Sequence, residues 1–251
     1  MQKKHGRSLH DQVVREIGQQ IVWGKWPVGT PLPHDTVLCA RLHISRTALR
    51  EALITLASKG LLEARQKIGT IVRPREEWNM LDGDVLRWRV ESNEGDAVVA
   101  ELYGLRRLIE PLAASLAAVH ATRTDIERLT KAYDDMVAAG DDGEQVLEPD
   151  VRFHRAIIAA SGNALFASVG LVVASALEAN FAAIKDSPRG HTWALPLHKA
   201  ILEAIAAHHG NRARVAMQKL LDASEKDLQA ARAGNSGVGR SRRAQASGRP
   251  L

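Results

Sequence analysis

The chain is poor in three things, and each shortage removes a class of answer. It has one cysteine, Cys39, in 251 residues, so no internal disulfide framework is available. A reducing, cytoplasmic setting is expected, with Cys39 as a small core side chain rather than a reactive thiol. It has no apolar run near the roughly 18 residues of a membrane-spanning helix. Its first residues, MQKKHGRSLHDQ, are basic with no apolar segment behind them, which argues against a secretory leader. Beyond about Asp96 it also has very few alternating apolar and polar stretches, which excludes a sheet there, and no repeat of fixed period appears. The length suffices for a substantial core and suggests one or two domains.

Acidic residues are scarce at both ends. Residues 1–77 carry 13 Lys+Arg against 7 Asp+Glu, a charge of +6, whereas 78–232 carry 17 against 22, or −5, and 233–251 carry 4 against none. A basic front with an acidic body implies that only the first part is built to lie on a polyanion. The end of the chain, GNSGVGRSRRAQASGRPL, is rich in Gly, Ser and Arg with almost nothing apolar, so 233–251 is expected to be a disordered basic tail.

What is present is concentrated between Leu42 and Pro74. Ser45 is a helix N-cap, and Leu49, Ala52, Leu53 and Leu56 then share one helical face. Arg46, Thr47 and Arg50 fall off that face and point outward, where guanidinium and hydroxyl groups suit phosphates and the O6/N7 edge of guanine. After Gly60, LLEAR and GTIVR flank a turn at Gln66–Ile68 and read as a hairpin edged by Arg65, Lys67 and Arg73. Upstream, Ser8 and Asp11 form a capping box, and Leu9, Val13, Ile17 and Ile21 repeat over a helix at 9–23 that Gly24 and Pro27 end. A second helix from about His34 to Leu42 is expected to bury Val37, Leu38 and Leu42, with His43-Ile44 as the turn. Residues 1–75 thus read as a winged helix-turn-helix. Residues 76–95, with Trp78 and Trp88, read as a packed connection. Helices at 96–121, 124–139, 144–160, 163–185, 191–209 and 211–232 make 96–232 an all-α bundle, so the fold is mostly α.

Within that bundle Asp150 and His154, four residues apart, share a helical face. A carboxylate and an imidazole so placed serve either as a solvated pair or as two ligands of a divalent metal. Arg106, four residues before Glu110, reads either as a surface ion pair or as a planar clamp for a carboxylate. Arg152 points to the opposite side, Asn163 caps the next helix, and His120, His191, His208 and His209 receive no role. A metal-dependent enzyme is the rival reading, but neither a nucleophile nor a general base is positioned beside the ligand pair.

Several strings carry a family likeness. PVGTPLP, HISRTALREAL, KGLLE and IGTIV, between Pro27 and Pro74, resemble the winged helix-turn-helix of the GntR family of bacterial transcription factors. LRRLIEPLAASLAA, DVRFHRAI, SGN and LHKAILEAI resemble the FCD-type effector domain of that family's FadR-like branch. Together they cover residue 9 to about 230. REEWNMLDGDVLRW resembles the connection of the galactonate-operon repressors and related sugar-acid regulators. The resemblance implies a cytoplasmic homodimer that binds double-stranded operator DNA through Ser45, Arg46, Thr47 and Arg50 and through Gly69 at the wing tip, beside Arg65 and Lys67. It implies a small carboxylate effector that releases the operator. An aldonic or keto-deoxy sugar acid comes first; lactate, an amino acid or a fatty acid, or an activating role, are the alternatives.

The same resemblance implies an effector pocket faced by Arg106 and a metal site, zinc or similar, of Asp150, His154 and His198, which stands 44 residues after His154. The family's fourth ligand position, 22 residues further on, is Leu220. Either the three remaining ligands hold a metal that the acid completes, or the metal is lost and Asp150, His154 and His198 hydrogen-bond the effector directly. Two further departures bear on the operator read: Thr36 stands where many relatives have a basic residue, and Lys67 where many have glycine.

Overall fold

Local rules written in the sequence start most of the helices. The computed structural model describes residues 8–184 and 190–246, and the chain divides into two units, one through Val98 and one from Val99. In the first unit, α1 (Leu9–Val22) opens on the capping box in which Ser8 Oγ accepts from Asp11 N–H and the Asp11 carboxylate accepts from Ser8 N–H. α2 (Asp35–Leu42) is capped by His34, whose ring nitrogen accepts from Thr36 N–H, and ends at His43 in the left-handed region at φ 54°. α3 (Arg46–Ser58) follows at once, with Ser45 Oγ accepting from Ala48 N–H at 3.2 Å. The strands β1 (Leu62–Arg65) and β2 (Gly69–Val72) pair antiparallel, Leu62 opposite Val72 and Arg65 opposite Gly69. Ile17, Leu38, Leu49, Ala52, Leu56, Leu61 and Val72 meet in the core beneath them.

One expected core residue is not there. Val37 is 55% exposed, because an eight-residue helix offers the core a single narrow face and Leu38 occupies it. The connection 76–95 belongs to the first unit. Its helix α4 (Gly83–Val90) is capped by Asp82, and Trp78 and Trp88 are buried in the same core as α1 and α3. Trp88 lies where a Cβ on Gly18 would sit, and its carbonyl accepts from Trp23 Nε1 at 3.0 Å. Lys59, the C-cap of α3, reaches Asp82 and Asp84 at 2.9 Å each. The tryptophans therefore tie the connection to the recognition helix.

The second unit is built of α5 (Gly95–His120, which starts before the division), α6 (Arg123–Ala139), α7 (Gly143–Ala160), α8 (Ala164–Ile184), α9 (Leu195–Ala206) and α10 (Gly210–Ala246). Ala113, Ala117, Leu129, Phe153, Ile157, Ile201 and Met217 form its core. Two helices carry an internal proline beside a carboxylate, Pro111 after Glu110 and Pro149 before Asp150. Each gives up one i→i−4 hydrogen bond in a helix interior, a cost of about 3 kcal/mol that surrounding packing must offset. α10 continues through Ala246, so 233–246, expected as disordered tail, are helical; extending an existing helix adds a hydrogen bond per residue without a new nucleation step. Residues 247–251 of that tail and 185–189, within the expected break at Ser187–Gly190, lie outside the described residues.

Candidate nucleic-acid interface and effector site

The cap at Ser45 fixes where α3 begins, and its periodicity fixes what it shows. Leu49, Ala52 and Leu56 are buried, while Ser45, Arg46, Thr47 and Arg50 are exposed on the opposite side. Arg65, Lys67 and Gly69 at the hairpin end are exposed as well. Among the described residues Arg46, Arg50 and Lys67 have no ion-pair partner, whereas Arg65 rests on Glu63 at 2.6 Å. The wing tip is bent by two residues with positive φ, Lys67 at 63° and Gly69 at 103°. Glycine adopts such a backbone freely, but a lysine there costs about 1–2 kcal/mol. The departure at Lys67 thus trades backbone comfort for a charge at the tip.

In the second unit, the sequence-predicted residues Arg106, Asp150, His154 and His198 converge. All four are buried and line one cavity of about 50 Å³. The i,i+4 spacing on α7 puts His154 Nε2 at 3.7 Å from Asp150 Oδ1, and His198 on α9 brings its Nε2 to 2.9 Å from the same oxygen. One ligand atom from each of these three residues lies within 4.8 Å of the others. Leu220 on α10 faces the same cavity, so the fourth family position is in place and carries no lone pair. Ser224, one turn on, lines it too.

Hydrogen bonds behind the rings set their tautomers. His198 Nδ1 donates to the Ala194 carbonyl at 2.9 Å, and His154 Nδ1 donates to Glu110. Each neutral ring then presents the lone pair of Nε2 toward the Asp150 carboxylate. Acceptors facing one another at such distances call for a cation between them, and back-bonded histidines of this kind are how proteins orient metal ligands. The donor set therefore fits a divalent metal.

Glu110 is the residue that sequence reasoning missed. It had entered only as one half of a surface pair, yet Arg106 and Glu110 are 2% and 1% exposed at the side chain and bonded to each other. Burial pushes the Glu110 carboxyl up, but the charge of Arg106 and the bond from His154 overcome it and hold the group at about 2. Burial likewise pushes Asp150 up, and the neighbouring His198, His154 and Arg106 hold it below the usual carboxylate range. Arg106 uses Nε on Glu110 and leaves Nη1 buried without a partner. The clamp thus has one donor still to give. Nothing local to Glu110 announces this, because its second partner is 44 residues away.

His191, assigned no role from sequence, is buried at the cavity with Trp193. Asp141, after α6, holds that segment by accepting from His191 N–H at 2.7 Å and Thr192 N–H at 2.9 Å. Those backbone bonds lower the Asp141 carboxyl. Arg152 points away as expected, pairing with Asp135 at 2.9 Å and with Glu148. Asn163 accepts from Leu165 N–H at 3.0 Å as a cap.

Comparison with known proteins agrees with this geometry. Residues 9–72 match the bacterial regulatory proteins of the gntR family, and residues 101–223 match the FCD domain. The chain is 32% identical over 227 residues to the galactonate operon transcriptional repressor of Escherichia coli strain K12, covering 87% of this chain and 96% of that one. It is 31% identical over 166 residues, 64% of each chain, to the Glc operon transcriptional activator of the same strain. Among solved structures, that of Lar, which controls expression of the agr system of Listeria monocytogenes, superposes with a TM-score of 0.61 at 16% identity, over 90% of this chain and 99% of that one, a likeness of fold. These relatives regulate transcription, which sets the enzyme reading aside. A winged reader joined to an FCD bundle, with these matches across both parts, makes the chain a member of the gntR family of transcription regulators.

Proposed function

We propose that the protein is a cytoplasmic, homodimeric repressor whose two winged modules hold a palindromic operator until a small carboxylate enters the helical cavity. The observation that carries the reading is the unspent Nη1 of buried Arg106 beside the Asp150–His154–His198 cluster. That donor and a metal are what an acid requires in order to be held away from water. On the reader, Ser45, Arg46, Thr47 and Arg50 enter the major groove, while Arg65, Lys67 and Gly69 of the wing follow the backbone. Asp150, His154 and His198 would hold zinc or a similar divalent ion through Oδ1 and the two Nε2 atoms. The ion would supply a positive centre for the acid's oxygens. Glu110 keeps His154 turned the right way, and Leu220, Leu177 and Trp193 exclude water.

The sugar-acid class is favoured by the galactonate operon repressor, which the chain matches over nearly its whole length. A cavity of about 50 Å³ holds a few waters' worth of ligand. It takes the carboxylate and the adjacent hydroxyl-bearing carbon, while the rest of a longer acid requires the His191–Leu195 segment to yield from its Asp141 latch. The second copy is assigned to α5, where exposed Leu108, Leu112 and Val119 fall on one side of the helix. No described helix is long and apolar enough to cross a membrane.

A thermal-shift screen of sugar acids, keto acids, lactate, amino acids and fatty acids, with and without chelator, tests the reading together with operator mobility shift. One acid should stabilise the protein, lose that effect with EDTA and release the operator; ligand bound only to the native state adds RT ln(1 + [L]/Kd). Operator release by none of them, or by an acid that still acts on an Arg106→Ala protein, overturns it.

A further inference from the structure

We infer that the cavity takes a divalent cation and an anionic ligand as a pair, each weakly bound without the other. The inference rests on the effector reading above and adds the rule of occupancy. Its first support is charge. Arg106, Glu110 and Asp150, all buried around the cavity, sum to −1. A divalent cation alone changes that to +1 and a monocarboxylate alone to −2, whereas both together bring it to zero. In a site sealed from water an uncompensated charge is costly, and a compensated one is tolerated.

The second support is the donor count. Asp150, His154 and His198 provide three ligand atoms, and the opposite wall is Leu220, 2% exposed and without a lone pair. Zinc takes four ligands when tetrahedral, so at least one must come from outside the chain. A carboxylate supplies it with one oxygen while its other oxygen meets the unpartnered Nη1 of Arg106. Water fills the position less well, because it leaves that guanidinium unanswered and the charge uncorrected. The regulator would then respond to acid only when metal is present, and to metal only when acid is present. By reciprocity each raises the other's affinity by one and the same factor.

The test uses full-length, chelator-stripped protein. Zinc affinity is measured by competition with a chromophoric chelator, with and without saturating D-galactonate and corrected for zinc bound by galactonate in solution. The expected result is a rise of at least tenfold with galactonate, matched by a similar rise in galactonate affinity with zinc, and no zinc binding in Asp150→Asn. Leu220→His, which restores a fourth donor, should raise acid-free zinc affinity at least tenfold and shrink the coupling. Zinc affinity that ignores galactonate while galactonate still stabilises the protein overturns the pairing and leaves the effector reading standing. Failure of galactonate to bind with or without zinc overturns the pairing and the sugar-acid reading together. If Leu220→His leaves acid-free zinc affinity unchanged, the donor count is wrong and the pairing falls with it.

Discussion

The reader and the helical unit use charge in opposite ways. On α3 and the wing, Arg46, Arg50, Arg65 and Lys67 stand in solvent. In the bundle, Arg106, Glu110, Asp150, His154 and His198 are all buried, and both carboxylates are held well below their ordinary range. Exposed cations act on DNA by displacing counterions, so their effects add and are screened by salt. Buried charges act through their partners, so their effects depend on one another and salt hardly reaches them. One molecule thus contains a tunable surface and an all-or-nothing cluster.

The sharpest way to break the comparison is to remove one partner from the cluster. Glu110→Ala leaves Arg106 buried without a counter-charge and His154 without its orienting acceptor, and should cost about 3–5 kcal/mol of stability in denaturant unfolding. A loss comparable to that of a surface ion pair would show that the cluster is solvated. Acid should act on the same groups. Because the folded Glu110 carboxyl lies at about 2 against an ordinary 4.5, and Asp150 is lowered too, their stabilisation is complete above the ordinary value and lost as pH falls toward 2. Unfolding free energy measured across that window should drop for the wild type and drop less for Glu110→Gln.

On the reader the expected effects are smaller and of another kind. Arg46→Ala or Arg50→Ala should weaken operator binding by about 1–3 kcal/mol. The slope of log affinity against log salt should flatten by about 0.9 for each lost phosphate contact. Thermal stability should not change, and a fall in stability with an unchanged slope would make them structural instead. Smallest is Lys67→Gly. Relief of the left-handed backbone should raise unfolding free energy by about 1 kcal/mol or less while operator affinity falls, the two measurements moving in opposite directions.

What the sequence settled by itself was whatever rests on neighbours along the chain. The capping box at Ser8, the cap at Ser45, the buried face of Leu49, Ala52 and Leu56 and the hairpin register each depend on residues a few positions apart. The shared face of Asp150 and His154 is of the same kind, and the likeness to a known family supplied His198 and Leu220. The packed connection was legible from its tryptophans, although what they pack on was not. Tertiary structure alone decided that Glu110 joins Arg106 to His154, that His191 and Trp193 line the cavity, that Val37 faces solvent and that Lys67 sits at positive φ. The physical reason is distance along the chain. A helical face or a cap is set by backbone geometry over one turn, whereas the fate of a buried charge is set by whichever group packing brings to it, here from 44 residues away.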